Sequence, residues 1–122
     1  MYSASTSYPR FGDIMFADLP YEGSVQGGMR PVLIVQNNKG NQHSSTVEVL
    51  PLSSRIKKGI HLPTHVYVEP DGDNNLIRPS IVLAENVLTI PMSRLMGKIG
   101  FAGDETLLRV GAARRIQSPL PF

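Results

Sequence analysis

The chain has 122 residues, enough for one domain with a moderate core and too few for two. Hydrophobic residues make up 41% and charged residues 18%, which excludes the disordered and collagen-like classes, and the absence of cysteine excludes disulfides and thiolate metal sites. A formal charge of +2 admits an anionic partner such as RNA without naming one.

Residues 1–10, MYSASTSYPR, have neither the basic start nor the apolar run of a secretory signal and read as a mobile tail ahead of a single domain over 11–122. No stretch approaches transmembrane length, so a cytoplasmic protein without a membrane partner is expected. A first strand is predicted over 12–20, bounded by Asp13 and Pro20. The loop that follows is punctuated by Gly23, Gly27 and Gly28 and meets the run PVLIVQ (31–36). Continuously apolar and rich in β-branched residues, that run is expected to be a central strand covered on both faces. Arg30 stands at the junction, and Pro31 biases it toward an extended backbone, so this cation is expected to be held.

NNKGNQHSS (37–45) reads as a polar turn, and TVEVLPL (46–52) as a third strand closing at Pro51. Residues 53–64 form a loop carrying Arg55, Lys57 and Lys58. The strand pattern resumes at HVYVEP (65–70), DGDNN (71–75) turns, and SIVLAENVLTI (80–90) is a further strand bent near Glu85 and Asn86. A last short strand is predicted over 97–103. Five or six strands with short turns favour a small barrel or sandwich. Over 103–117 the period changes to helical: Asp104 is placed to cap, Glu105 and Arg109 have the favourable i, i+4 order, and Leu107, Leu108, Gly111 and Ala112 are grouped on one face. Close packing through Gly111 is expected.

The alternating Asp71, Asp73 and Asn75 begin like a calcium loop, but Leu76 and Val82 stand where an EF-hand needs glycine and glutamate. His61 and His65 lie four apart with Pro63 between them, which prevents a shared helical face, so no metal site is assigned. Neither a nucleophile elbow nor a P-loop is present. What remains is Arg30 at one strand start and Ser53 at the exit of the next strand. Adjacent strands would turn both to one pocket; otherwise Ser53 caps a turn and Arg30 makes a surface ion pair.

GS-x-QGG-x-RPVL, the N-x-x-GN string that ends at Asn41, and LPTH at 62–65 carry a resemblance to the MazF/PemK family of toxin endoribonucleases, in consistent order over roughly residues 11–117. The resemblance implies a mainly β, SH3-like small barrel with a C-terminal α-helix, acting as a homodimer on single-stranded RNA without cofactor. It also implies a cognate antitoxin whose extended acidic segment fills the RNA groove. By the same resemblance Arg30 matches the catalytic arginine and Ser53 the catalytic threonine or serine. Ser24, Gln26, Glu85 and Asn86 match groove-lining positions, and Arg55, Lys57 and Lys58 supply cations for RNA. Val25 stands where many members have a carboxylate, and Leu88 where a basic residue is common. Glu85 is then a candidate base, with His65 behind it, the latter expected to satisfy a backbone group. The rival reading is a CcdB-like toxin that binds DNA gyrase through its C-terminal helix and an aromatic-plus-aliphatic tail, which QSPLPF does not reproduce. A catalytically weakened RNA-binding relative is the other alternative.

Overall fold

A computed structural model describes residues 8–20, 27–56 and 62–121. Seven antiparallel strands run β1 (Asp13–Leu19), β2 (Gly28–Ile34), β3 (Thr46–Ser53), β4 (His65–Val68), β5 (Ser80–Leu83), β6 (Leu88–Pro91) and β7 (Leu95–Phe101). Two helices, α1 (Asn38–His43) and α2 (Asp104–Gln117), complete the description, with a 3₁₀ turn at Met92–Arg94. The strands are ordered β4-β5-β3-β2-β1-β7, and β6 lies against β3. The architecture is the small β barrel with a C-terminal helix that the family resemblance implies, with seven strands where the pattern gave five or six.

Alternation along the central strands explains how one sheet serves two apolar clusters. In β1 Ile14 points one way while Met15, Ala17 and Leu19 point the other; in β2 Leu33 opposes Val32 and Ile34; in β3 Leu50 and Leu52 oppose Val47 and Val49. Val32, Leu33 and Ile34 are all fully buried, as the unbroken apolar run requires. Ile14, Leu33, Leu50 and Leu52 join Val66, Val68 and Val82 beneath α2, whereas Met15, Val32, Ile34, Val47 and Val49 join Ile90 and Leu95 in the second cluster.

Three local expectations are corrected. Residues 37–45 are not only a turn: the Asn37 side chain accepts from the Gly40 N–H at 2.8 Å and caps α1, while the buried Asn41 donates to the Gln36 carbonyl at 3.0 Å. The predicted strand 80–90 is two strands, β5 and β6, parted at 84–87. β3 pairs with β5 at Leu52↔Val82 and with β6 at Val49↔Leu88, so residues 83–87 span only Leu50 and Pro51 and must bow outward. In α2 Asp104 is the first helical residue, not the cap; Gly103 holds that place with no side-chain bond. Leu107, Val110 and Ala113 face the core, while Leu108 is 75% exposed and Ala112 is also exposed, because i, i+3 spacing, not adjacency, defines a helical face. Gly111 makes no close contact: a Cβ there would meet only Arg115 Nη1, at 3.7 Å.

Candidate active site

The β2–β3 ladder runs Ile34↔Val49, Leu33↔Leu50, Val32↔Pro51 and then stops, as β3 continues against β5. Continued by two residues, the same register sets Arg30 across from Ser53, on the face shared by Ala17 and Val32. Both therefore stand beyond the last β2–β3 pair, at the end of the sheet from which the segments 21–26 and 57–61 leave, Arg30 paired instead with Ala17 of β1. The row extends sideways: Ser53 is paired with Ile81, and Ile81 with Tyr67. Two residues along the same two strands, on the same face, His65 is paired with Leu83.

Arg30 is half-buried, and its Nε donates to the Gly27 carbonyl at 3.4 Å. The ion pairs among the described residues are His65–Glu85, Arg94–Asp18 and Lys98–Asp13, so no described carboxylate neutralises Arg30 or Arg55. The expected surface ion pair of Arg30 is thus not formed within the described residues. Ser53 Oγ accepts from the Arg55 N–H at 3.2 Å, the turn-capping contact anticipated for it. That bond uses an oxygen lone pair and leaves the hydroxyl hydrogen to give. A planar cation and a hydroxyl donor at one end of one sheet face are groups suited to a tetrahedral oxyanion.

Glu85 and Asn86 are not in the Arg30–Ser53 row. They lie in the bowed segment beside Leu50–Pro51, two to three residues back along β3, or about 7–10 Å at strand rise. His65 does not satisfy a backbone group as expected; its Nε2 lies 3.0 Å from Glu85 Oε2, with the two side chains 19% and 23% exposed. Nothing in the sequence signals this contact, since twenty residues separate the partners and only the β4–β5 register unites them. Ser24, Gln26, Lys57 and Lys58 lie outside the described residues. On the opposite face, a groove of about 410 Å³ is lined by Phe16, Pro31, Ser54, Ile77 and Ile99, with Arg78 at its edge, and holds neither Arg30 nor Ser53.

Fold and site together define a small antiparallel β barrel whose loop-bearing end carries a hydroxyl and guanidinium groups that have no carboxylate partner among the described residues. A family model described as PemK-like, MazF-like toxin of type II toxin-antitoxin system matches residues 10–117, and the chain belongs to that family. It is 41% identical over 105 residues to an endoribonuclease MazF of Staphylococcus saprophyticus, covering 85% of this chain and 86% of the relative. In structure it is similar to the Mycobacterium tuberculosis toxin MazF-mt6, with a TM-score of 0.74, 27% identity, and 90% of this chain and 99% of the other covered. A mycobacterial endoribonuclease solved with its cognate antitoxin superposes with a TM-score of 0.72 at 27% identity, over 94% of this chain and 97% of its own.

Proposed function

We propose that this chain, an endoribonuclease toxin, cuts single-stranded RNA at short sequences by intramolecular attack of the ribose 2′-hydroxyl on the adjacent phosphorus. The reading is supported above all by the β2–β3 register, which, carried two residues past its last pair at Val32↔Pro51, would set Arg30 opposite Ser53 on one face. The P–O2′ bond forms and the P–O5′ bond breaks; the 2′-oxygen gives up its proton and the departing 5′-oxygen gains one. Charge builds on the non-bridging oxygens as phosphorus becomes five-coordinate. Arg30 presents planar N–H donors that bind those oxygens more strongly as their charge grows, and Ser53 adds a hydroxyl donor. The proposed products are a 2′,3′-cyclic phosphate and a 5′-hydroxyl, formed without a metal ion because the guanidinium supplies the fixed positive charge.

Glu85, Asn86 and Arg55, with Ser24, Gln26, Lys57 and Lys58 from the flanking segments, line the RNA path in this reading. The protein acts as a homodimer, and an antitoxin with an extended acidic segment competes for the same uncompensated cations. The test is direct. Incubated with mixed single-stranded RNA in EDTA, the wild-type protein should give discrete cuts with 5′-hydroxyl ends, and Arg30→Ala should cut about 10²–10³-fold more slowly while unfolding at the same denaturant concentration. Wild-type rates from Arg30→Ala would overturn the assignment, and intact RNA together with stalled gyrase would favour the gyrase-binding reading.

A further inference from the structure

The bowed segment between β5 and β6 is tied at three points by residues distant in sequence. The Ala84 N–H donates to the Thr64 carbonyl at 3.0 Å, extending the β4–β5 ladder by one step. From the helix, Arg114 Nη1 donates to the Ala84 carbonyl at 2.5 Å. From the start of β4, His65 Nε2 meets Glu85 Oε2 at 3.0 Å. The segment then turns on itself through the Asn86 N–H to the Leu83 carbonyl at 3.1 Å. An ionised carboxylate has no hydrogen to give, so Nε2 carries it and His65 is the donor. The other two polar atoms of the pair, His65 Nδ1 and Glu85 Oε1, are sealed from solvent with no partner among the described residues. Among the described residues, their mutual contact is the one side-chain hydrogen bond that either residue makes.

We propose that His65 and Arg114 are positioning residues for RNA cleavage: one grips the Glu85 carboxylate and the other the Ala84 carbonyl, and together they hold Glu85 and Asn86 in the shape that receives RNA. The inference rests on the reading in which those two residues line the RNA path. It adds two residues that touch no substrate and reach the site through the 83–87 segment. Without the ties, the five residues that span Leu50–Pro51 have slack, and RNA must order them on binding. That ordering weakens the ground-state and transition-state complexes alike, so the loss falls on KM and not on kcat.

The test uses the full chain and a short oligoribonucleotide chosen from the cuts that the wild-type protein makes in a mixed RNA pool. His65→Ala and Arg114→Ala should each raise KM about tenfold with kcat within twofold of wild type. His65→Gln, whose amide can donate to Glu85 Oε2, should bring KM back to within about threefold. A merely structural role would lower the folded fraction, which reduces apparent kcat at unchanged KM. Combining His65→Ala with Glu85→Ala should raise KM no further than Glu85→Ala alone, since His65 acts on that part of the segment through Glu85. Folded His65→Ala and Arg114→Ala proteins with wild-type KM would overturn the proposal. If His65→Ala fails to fold, His65→Gln and Arg114→Ala still decide it: wild-type KM in Arg114→Ala overturns it, and a tenfold rise with rescue-level KM in His65→Gln supports it. Failure of the underlying reading looks different, because then Arg30→Ala cuts as fast as wild type, or the wild-type protein does not cut at all.

Discussion

In the proposed mechanism the requirement at Arg30 is for shape as well as charge. A lysine keeps the positive charge but offers a point ammonium on a flexible stem in place of a planar fork, so Arg30→Lys is expected to retain only a small part of the cleavage rate, measured as single-turnover cutting of the same oligonucleotide. Tyr67 offers a residue-scale prediction independent of activity. Its hydroxyl donates to the Glu69 carboxylate, and that hydrogen bond, with smaller contributions from desolvation and the Glu69 charge, raises the phenol above its ordinary value of 10.0. A raised phenol pKa means that the folded state favours the protonated form. The contribution to stability is present below the ordinary phenol range and is lost as pH climbs through the raised folded value. In an ultraviolet titration, Glu69→Gln should move one tyrosine transition down toward the ordinary range, the carboxylate charge being gone.

Two glycines in different elements make opposite predictions from the same substitution. A Cβ on Gly100 of β7 would lie 2.3 Å from the Asp73 carbonyl oxygen and 2.7 Å from the Asn74 carbonyl group, backbone atoms that cannot swing aside. Gly100→Ala should therefore destabilise the fold by about 1–3 kcal/mol or more. Gly111 in α2 has only the end of the Arg115 side chain nearby, so Gly111→Ala should raise stability by about 1 kcal/mol through helix propensity. Urea unfolding of the two variants beside wild type checks both signs. The contrast also marks what could be read in the sequence. The buried run of β2 was legible because unbroken Val, Leu and Ile leave little alternative, and the C-terminal helix because its period changes. The inward face of α2 was misassigned because Leu107 and Leu108 are chemically alike and only the docking angle of the helix separates them. The helix α1 was hidden because its polar residues match a turn, and its cap depends on an Asn37 contact that composition does not reveal.

For the molecule as a whole, electrostatics governs binding to RNA more than the modest net charge suggests. Arg30 and Arg55 have no described carboxylate partners, whereas Lys98 is paired with Asp13 and Arg94 with Asp18, the residue that follows Arg30's β1 partner Ala17. Single-strand binding releases about 0.7 counterion per phosphate neutralised. The affinity of an uncleavable 2′-deoxy analogue should fall steeply with salt, and Arg30→Ala should lessen the slope of log K against log salt by about 0.7, as fluorescence anisotropy would record. The row of Arg30 and Ser53 was legible as a possibility, since consecutive strands tend to pair, but the register that aligns them needed the structure. The His65–Glu85 contact was not legible, because it depends on where β4 meets β5 and on three surplus residues before β6.

β3 lends alternate side chains to two separate interiors, and its final residue, Ser53, inherits its direction from that count. Removing Pro51 would exchange the sides on which Leu52 and the Ser53 hydroxyl emerge relative to Val47 and Val49. A scaffold wired in this way tolerates changes of length in the connecting segments far better than within the strand, so descendants that acquire new RNA preferences are expected to differ by insertions around 21–26 and 57–61 while keeping the spacing of β3 unchanged.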